Sequence, residues 1–526
     1  MEKIANLPQE NKNDFAKLKV DILVKIACGG KYMKILLVYP QIPITYWGFQ
    51  YALKFISKKA GYPPLGLLTI AAMLPKHYEK RLVDMNITKL KDNDILWADY
   101  VFISAMVVQK ESVRDTITRC HNLGVKVVAG GPLFTSEYEE YDDVDHLLLN
   151  EGELTVPAFV RDIENGTAAH LYTTTEWADL RTTPVPLWEL IDMKKYATMN
   201  IQYSRGCPFN CDFCNITSLY GHQPRTKDAP QLLQELDSLY YSGWRGGVFL
   251  VDDNFIGNKR KLKEKILPAL IAWMTEKKYP FYFFTEASIN LADDEVLMDL
   301  MVKAGFNAVF IGIETTNEDS LVECNKIQNK NRDLITCVKK IHRFGLQVQG
   351  GFIVGFDNDN AMIFDKMVSF IQESGIVTAM VGLLNAPKGT NLYQRLAGEG
   401  RLVEDFSGDN TNFSMNFVPK MERGLLVKGY QRIVDTIYSP KKYYERVLTF
   451  LDEYKPAKFT TTEMNFCHTM AFLKSIIRLG IIGKERRYFW KLILWSLLKR
   501  REVFPLAVTL SIYGFHFRKV FKRTAT

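Results

Sequence analysis

Cysteine is scarce in this sequence, with eight in 526 residues, and too thinly spread for a disulfide framework. Five of them (Cys28, Cys120, Cys324, Cys337 and Cys467) stand alone and read as inert, buried or partly buried thiols of a chain made in a reducing cytoplasm. A secretory signal is lacking: the nearest apolar stretch, Ile22–Cys28, is short and broken by Lys25. No run approaches the roughly 18 to 20 uninterrupted apolar residues that cross a bilayer. Repeats and low-complexity tracts are absent too. Acidic residues are missing at one end: from Ala471 to Thr526 there are 13 Lys/Arg against 2 Asp/Glu. That surplus exceeds the +8 of the whole chain, so the body is slightly acidic. The imbalance excludes a general nucleic-acid binder and points to a local anionic partner.

What is present is alternation. The length predicts two to four domains, and 47% apolar residues supply several cores. Residues 1–32 are polar and weakly patterned and read as a loose extension, with Met33 an alternative start. Short apolar runs follow at 34–40, 81–85, 99–106, 126–132 and 146–153, separated by helix-like segments at 65–74, 110–123 and 154–163. Strands alternating with helices predict a parallel sheet covered on both faces, a flavodoxin-like domain over 33–165. Residues 166–195 are polar and proline-punctuated and mark a linker. Six further strand-helix units, with strands at 199–206, 247–253, 281–288, 308–315, 348–356 and 378–386, predict a partial (β/α)6 barrel over 196–395. Residues 396–526 read as mostly helical and basic. The fold class is α/β.

The remaining cysteines sit together in Ser204-Arg-Gly-Cys207-Pro-Phe-Asn-Cys211-Asp-Phe-Cys214, in the loop leaving the first barrel strand. Three thiolates at this spacing can hold three irons of a cubane cluster. A cluster held by four cysteines is saturated, whereas three leave one iron open for a cosubstrate. A zinc site would need a fourth ligand, for which His222 is the candidate, and three free thiols are the bland alternative.

With Phe213 before the last cysteine, this stretch resembles the radical S-adenosylmethionine (SAM) superfamily, and the likeness spans about 196–395. The resemblance implies a four-iron four-sulfur (4Fe-4S) cluster on Cys207, Cys211 and Cys214, with SAM chelating the open iron and yielding an adenosyl radical. It also implies cofactor contacts at other strand ends. Asp252 and Asp253 stand where the superfamily usually has a Gly-Gly-Glu motif for the SAM amine, a departure that leaves that contact open. Glu314 resembles the ribose-binding position, and Gly351, Ile353 and Gly355 the segment along the adenine. The alternative for each acid is a solvated cap or a structural hydrogen bond, and for each glycine close strand packing or a turn.

The order of domains, the Tyr62-Pro-Pro-Leu-Gly-Leu67 stretch and the Ala129-Gly-Gly-Pro132 turn resemble the cobalamin-dependent radical SAM methylases. In that family the first domain binds cobalamin, with Ser104, Gly130 and Gly131 expected near its tail. No Asp-x-His-x-x-Gly motif occurs in 33–165, so no protein histidine is expected on cobalt. The expected activity is methylation of an unactivated carbon using SAM and methylcobalamin. Rearrangement or cyclisation without net methyl transfer is the alternative, and a non-catalytic cobalamin or iron-sulfur sensor is the reading from another class. The basic end resembles that of hopanoid C-2 methylases, which implies a hydrophobic metabolite, a hopanoid-like lipid or tetrapyrrole pigment. Two apolar, aromatic runs there, 486–500 and 503–517, suit either core helices packed on the barrel with their cations solvated or peripheral contact with an anionic membrane on its cytoplasmic face. An external one-electron reductant of flavodoxin or ferredoxin type completes the expected partners.

Overall fold

A computed structural model describes residues 32–403, 406–409, 411–456 and 466–524. The 1–31 stretch, Cys28 and the side chain of Cys467 lie outside the described residues. The first sheet has six parallel strands: β1 (Lys34–Tyr39), β2 (Glu79–Asp84), β3 (Tyr100–Ser104), β4 (Lys126–Gly130), β5 (His146–Leu148) and β6 (Leu171–Tyr172). Their order is β2-β1-β3-β4-β5-β6. The sequence pattern supplied five of these. The sixth is two residues long inside the polar 166–195 connection, too short to show a period. Residues Leu36 and Val38 of β1 enter one core, and Ile35 and Leu37 the other. This two-sided burial is why the strands read as unbroken apolar runs. The helices α1 (Leu65–Met73), α2 (Lys110–Asn122) and α3 (Gly152–Asn165) cover the faces. In α2, Val113, Thr116, Ile117 and Cys120 are buried, one stripe of a helix.

The second large sheet also has six parallel strands, β7 (Met199–Ile201), β10 (Gly246–Leu250), β11 (Phe281–Glu286), β12 (Phe306–Glu314), β13 (Gln347–Val354) and β14 (Ala379–Leu383), neighbours in chain order. A small antiparallel pair, β8 (Ser204–Arg205) and β9 (Arg225–Thr226), braces the cysteine loop. Helices α4 (Ala229–Tyr241), α5 (Leu267–Glu276), α6 (Glu295–Lys303), α7 (Leu334–Phe344), α8 (Ile363–Ser374) and α9 (Asn391–Gly398) line the outside. On β11 burial alternates strictly, with Tyr282, Phe284 and Glu286 less buried than their neighbours, which puts those three together on one face of the strand.

The helices α10 (Arg423–Ile437), α11 (Pro440–Glu453), α12 (Phe466–Ser475), α13 (Arg486–Lys499) and α14 (Phe504–Thr524) share one continuous core with the barrel. For 503–517 the structure favours the core reading. In α14, Ala507, Leu510, Ser511, His516 and Phe517 are fully buried. Phe517 stacks on Tyr46 at 4.2 Å, and His516 Nε2 lies 2.9 Å from the Tyr46 carbonyl oxygen. The last helix is therefore bolted to the 42–57 segment that follows β1. Among the described residues no helix is long and apolar enough to cross a membrane.

Candidate active site

In the first sheet the strand order reverses between β1 and β3, which opens a crevice at their carboxyl ends. A cavity of about 960 Å³ begins there, at Tyr39, Ser104, Gly130 and Gly131, and runs to the barrel mouth at Asn200, Gln202, Phe249, Val251 and Asp253. Ser104 and Gly130 face each other across β3 and β4. A Cβ on Gly130 would lie 2.6 Å from the Leu148 carbonyl oxygen, and one on Gly131 would lie 2.5 Å from Ser104 Oγ. Gly131 also has φ +92°, a backbone that side chains resist. The edge is thus a cradle shaped by missing side chains. Over the barrel mouth, Tyr62 packs against Phe249 at 5.6 Å and Trp47 against Phe310 at 5.5 Å.

The three clustered cysteines lie in the β7–α4 connection. Burial raises all three thiols, Cys214 to about 12. The surroundings pull the other way, toward the thiolate. Asn254 Nδ2 lies 3.9 Å from Cys207 Sγ, and Gln328 Nε2 3.7 Å from Cys211 Sγ. The Phe209 and Ile216 amides serve Cys207 and Cys214, and the Lys326 ammonium bears on all three. Burial works to lower Lys326, but Glu314 and the thiols outweigh it and hold it above its ordinary value. Lys326 Nζ lies 2.7 Å from Glu314 Oε1 and 6.0 Å from the centre of the Phe213 ring. Glu314 itself has φ +64°, costly for a side-chain-bearing residue, at a bulge where β12 slips against β13. A Cβ on Gly312 would lie 2.1 Å from the Glu314 carboxylate, so a side chain there would push the carboxylate from its place beside Lys326.

Among the described residues no three His, Cys, Asp or Glu side chains form a group that could hold one metal ion, and His222 is exposed. A cubane makes a different demand, since each cysteine binds its own iron.

The two acids after β10 have different surroundings. Asp252 is buried and accepts from the Ser204 amide, from Ser204 Oγ at 2.5 Å and from the Tyr203 amide at 3.3 Å. It clasps the strand that leads to the cysteines. Asp253 accepts from the Gly206 amide at 2.9 Å and lines the cavity. Burial pushes Asp252 up to about 7 and Asp253 up to about 6. Glu286 on β11 is pushed up to about 8 by burial and by the two aspartates.

A buried ion network ties the two sheets together. Arg205, two residues before Cys207, makes paired contacts of 2.9 and 2.8 Å to Glu153 and reaches Glu151 at 2.9 Å. Arg225 adds 2.7 Å to Glu151. Both carboxylates are 5% exposed or less. Burial alone would raise Glu153, but Arg205 overrides it and holds the acid at about 2.

Known proteins share this arrangement. Residues 201–371 match the description "Radical SAM superfamily", 56–160 match "B12 binding domain", and 390–526 match "Domain of unknown function (DUF4070)". An uncharacterized methyltransferase of Synechocystis sp. is 40% identical over 92% of this chain and 91% of its own. The hopanoid C-2 methylase of Rhodopseudomonas palustris is 33% identical over 90% and 92%. This chain belongs to the cobalamin-dependent radical SAM methyltransferase family. The solved structure of the cobalamin-dependent SAM radical enzyme OxsB with aqua-cobalamin bound has the same fold. Its TM-score is 0.60 at 14% identity, covering 94% of this chain and 84% of that one.

As a member of that family the enzyme uses a 4Fe-4S cluster, SAM and cobalamin, and the residues present fit the cluster and a bulky ligand in the cradle. The three thiols are served by N–H donors and a cation, with Asn254 Oδ1 and Gln328 Oε1 buried and unpartnered nearby. The glycine cradle opens into a cavity large enough for a bulky ligand. Of the residues singled out in the sequence, the structure gathers Cys207, Cys211, Cys214, Phe213 and Glu314 around Lys326, and puts Ser104, Gly130, Gly131 and Asp253 on the cavity wall. Gly351 packs against Phe310, and Gly355, at φ +107°, against Leu426. Ile353 is half-buried on β13 and, with these two glycines, does not line that cavity. Sequence reasoning missed Lys326, Gln328, Glu286 and the Arg205 network. For that network the two acids flanking Gly152, Glu151 and Glu153, were the signal available.

Proposed function

We propose that this enzyme methylates an unactivated carbon of a hydrophobic metabolite, a hopanoid-like lipid or a tetrapyrrole pigment, where the two sheets meet. The observation that carries the reading is the cavity running from the first sheet's switch point to an aromatic barrel mouth, with Pro43, Ile44, Trp47, Tyr62 and Met380 among its walls. When bound, the cluster and SAM supply radical chemistry and cobalamin supplies the methyl group. Cys207, Cys211 and Cys214 each hold one iron, and Lys326 offsets their charge. Asp253 meets the SAM amine, while Asp252 keeps the loop in place. Glu314 accepts from the ribose hydroxyls. Gly351, Ile353 and Gly355 shape the adenine's side of the barrel, and Ser104, Gly130 and Gly131 seat the cobalamin tail. In this reading residues 33–165 carry cobalamin, 196–395 carry SAM and the cluster, and 166–195 link them. A flavodoxin or ferredoxin delivers single electrons, and 396–526 bring the enzyme to an anionic membrane surface.

The test compares lipid and pigment extracts of cells with and without the gene, grown with methyl-labelled methionine. The reading expects a labelled, gene-dependent methyl group in one of the two extracts. A gene-dependent product without label would overturn methyl transfer in favour of rearrangement or cyclisation.

A further inference from the structure

The region matched as a domain of unknown function carries an exposed apolar ridge. Helix α12 continues through a π-helical turn, Ile476–Ile481, bends at 482–485 and returns as α13. On the outgoing arm Leu473, Ile477 and Ile481 recur every four residues, with Ile482 at the bend. On the returning arm Trp490, Leu494, Leu497 and Leu498 follow helical spacing. All eight side chains are 37% to 80% exposed. The opposite face of α13, with Phe489, Leu492, Ile493 and Ser496, is buried. Trp490 Nε1 donates to the Gly480 carbonyl at 3.0 Å, and a Cβ on Gly480 would lie 3.1 Å from Trp490 and from Phe489. The two arms are therefore locked edge to edge.

Cations surround the ridge. Arg478, Lys484, Arg486, Arg487, Lys491 and Lys499 are exposed on the same hairpin. The nearby acids do not cancel them: Glu485 is buried against Arg518 at 2.6 Å, and Glu502 pairs with Arg500 at 2.5 Å. An apolar ridge with tryptophan, ringed by cations on a hairpin too short to span, matches the headgroup zone of an anionic bilayer.

We infer that the 473–499 hairpin docks the enzyme on an anionic lipid surface, its ridge dipping among the headgroups and its cations resting on phosphates. The hairpin also contacts a segment that reaches the cavity. Lys474 Nζ donates to the Lys54 carbonyl at 3.2 Å and to Ser57 Oγ at 3.0 Å. These lie in the 42–57 segment, whose Ile44, Tyr46, Trp47 and Gln50 line the cavity. Docking there brings a greasy substrate from the lipid to the site. That purpose rests on the hydrophobic-substrate reading, but the docking does not, because vesicle binding is measured without turnover.

The experiment floats the full-length holoenzyme with phosphatidylcholine vesicles, with and without phosphatidylglycerol. The expected result is flotation with the anionic vesicles, reversed by salt. Two exposed triple variants, Ile481→Glu with Leu494→Glu and Leu498→Glu, and Arg486→Gln with Arg487→Gln and Lys491→Gln, should each weaken binding at least about tenfold. Iron content, cobalamin content and melting temperature should stay unchanged, which separates lost docking from lost folding. Flotation indifferent to both variants, or no flotation at all, would overturn the inference. So would a dimer in light scattering that dissociates only in the ridge variant, since a second copy would then be the occupant.

Discussion

The two six-stranded parallel sheets meet at one cavity, and each offers it a different kind of edge. The first is nearly bare: at Gly130 and Gly131 even a methyl group would collide with its neighbours. The second is crowded with charge: Asp253 lines the cavity, and the three thiols, the Lys326–Glu314 pair and Glu286 lie at other strand ends of the same sheet. Shape selects a large, nearly rigid ligand, and charge selects small polar groups and a metal cluster. Edges of these two kinds must keep a fixed separation, because the group held by one has to act on the group held by the other. The Arg205 network bridges that gap.

Breaking the bridge should have the largest effect. Arg205→Met leaves Glu153 buried without its cation and should cost roughly 3 to 5 kcal/mol, measured by denaturant unfolding of the holoenzyme. Arg205→Lys keeps the charge without the paired contact and should fall between. A null result for both would show that the sheets are held by other contacts.

The bare edge can be tested by filling it. Gly131→Ala meets both a left-handed backbone and Ser104 Oγ, and should cost about 1 to 3 kcal/mol while weakening cobalamin binding. Iron content should not change. Adding Ser104→Gly should recover the part due to collision and leave the backbone part.

The charged edge predicts a smaller, pH-dependent effect. Glu286 binds its proton more tightly folded, at about 8, than an ordinary glutamate does. The stability it contributes is therefore present at low pH and lost as pH rises toward 8. The melting temperature of the cofactor-free protein should fall from pH 5 to pH 8, and Glu286→Gln should flatten that fall. An unchanged slope would mean that Glu286 is ionised throughout.

The same contrast separates what the sequence disclosed from what it did not. Buried parallel strands are continuous apolar runs, so both sheets could be read, while Leu171–Tyr172 offered two residues and no pattern. The cysteine motif was legible because its spacing is local. Lys326 lies in a loop well beyond Glu314, and Arg205 meets Glu153 from a different sheet, so no local period announces either. The 503–517 run left two readings open because aromatic, amphipathic helices suit a core as well as a membrane. Contacts of Phe517 and His516 with Tyr46, between distant parts of the chain, separate the two.

The most direct measurement is Mössbauer and electron paramagnetic resonance spectroscopy of anaerobically reconstituted protein, before and after adding SAM. The account predicts a cubane whose signal SAM perturbs, and no cubane when Cys207, Cys211 and Cys214 are all changed to alanine. A cluster that survives the triple change, or that SAM leaves untouched, would contradict it.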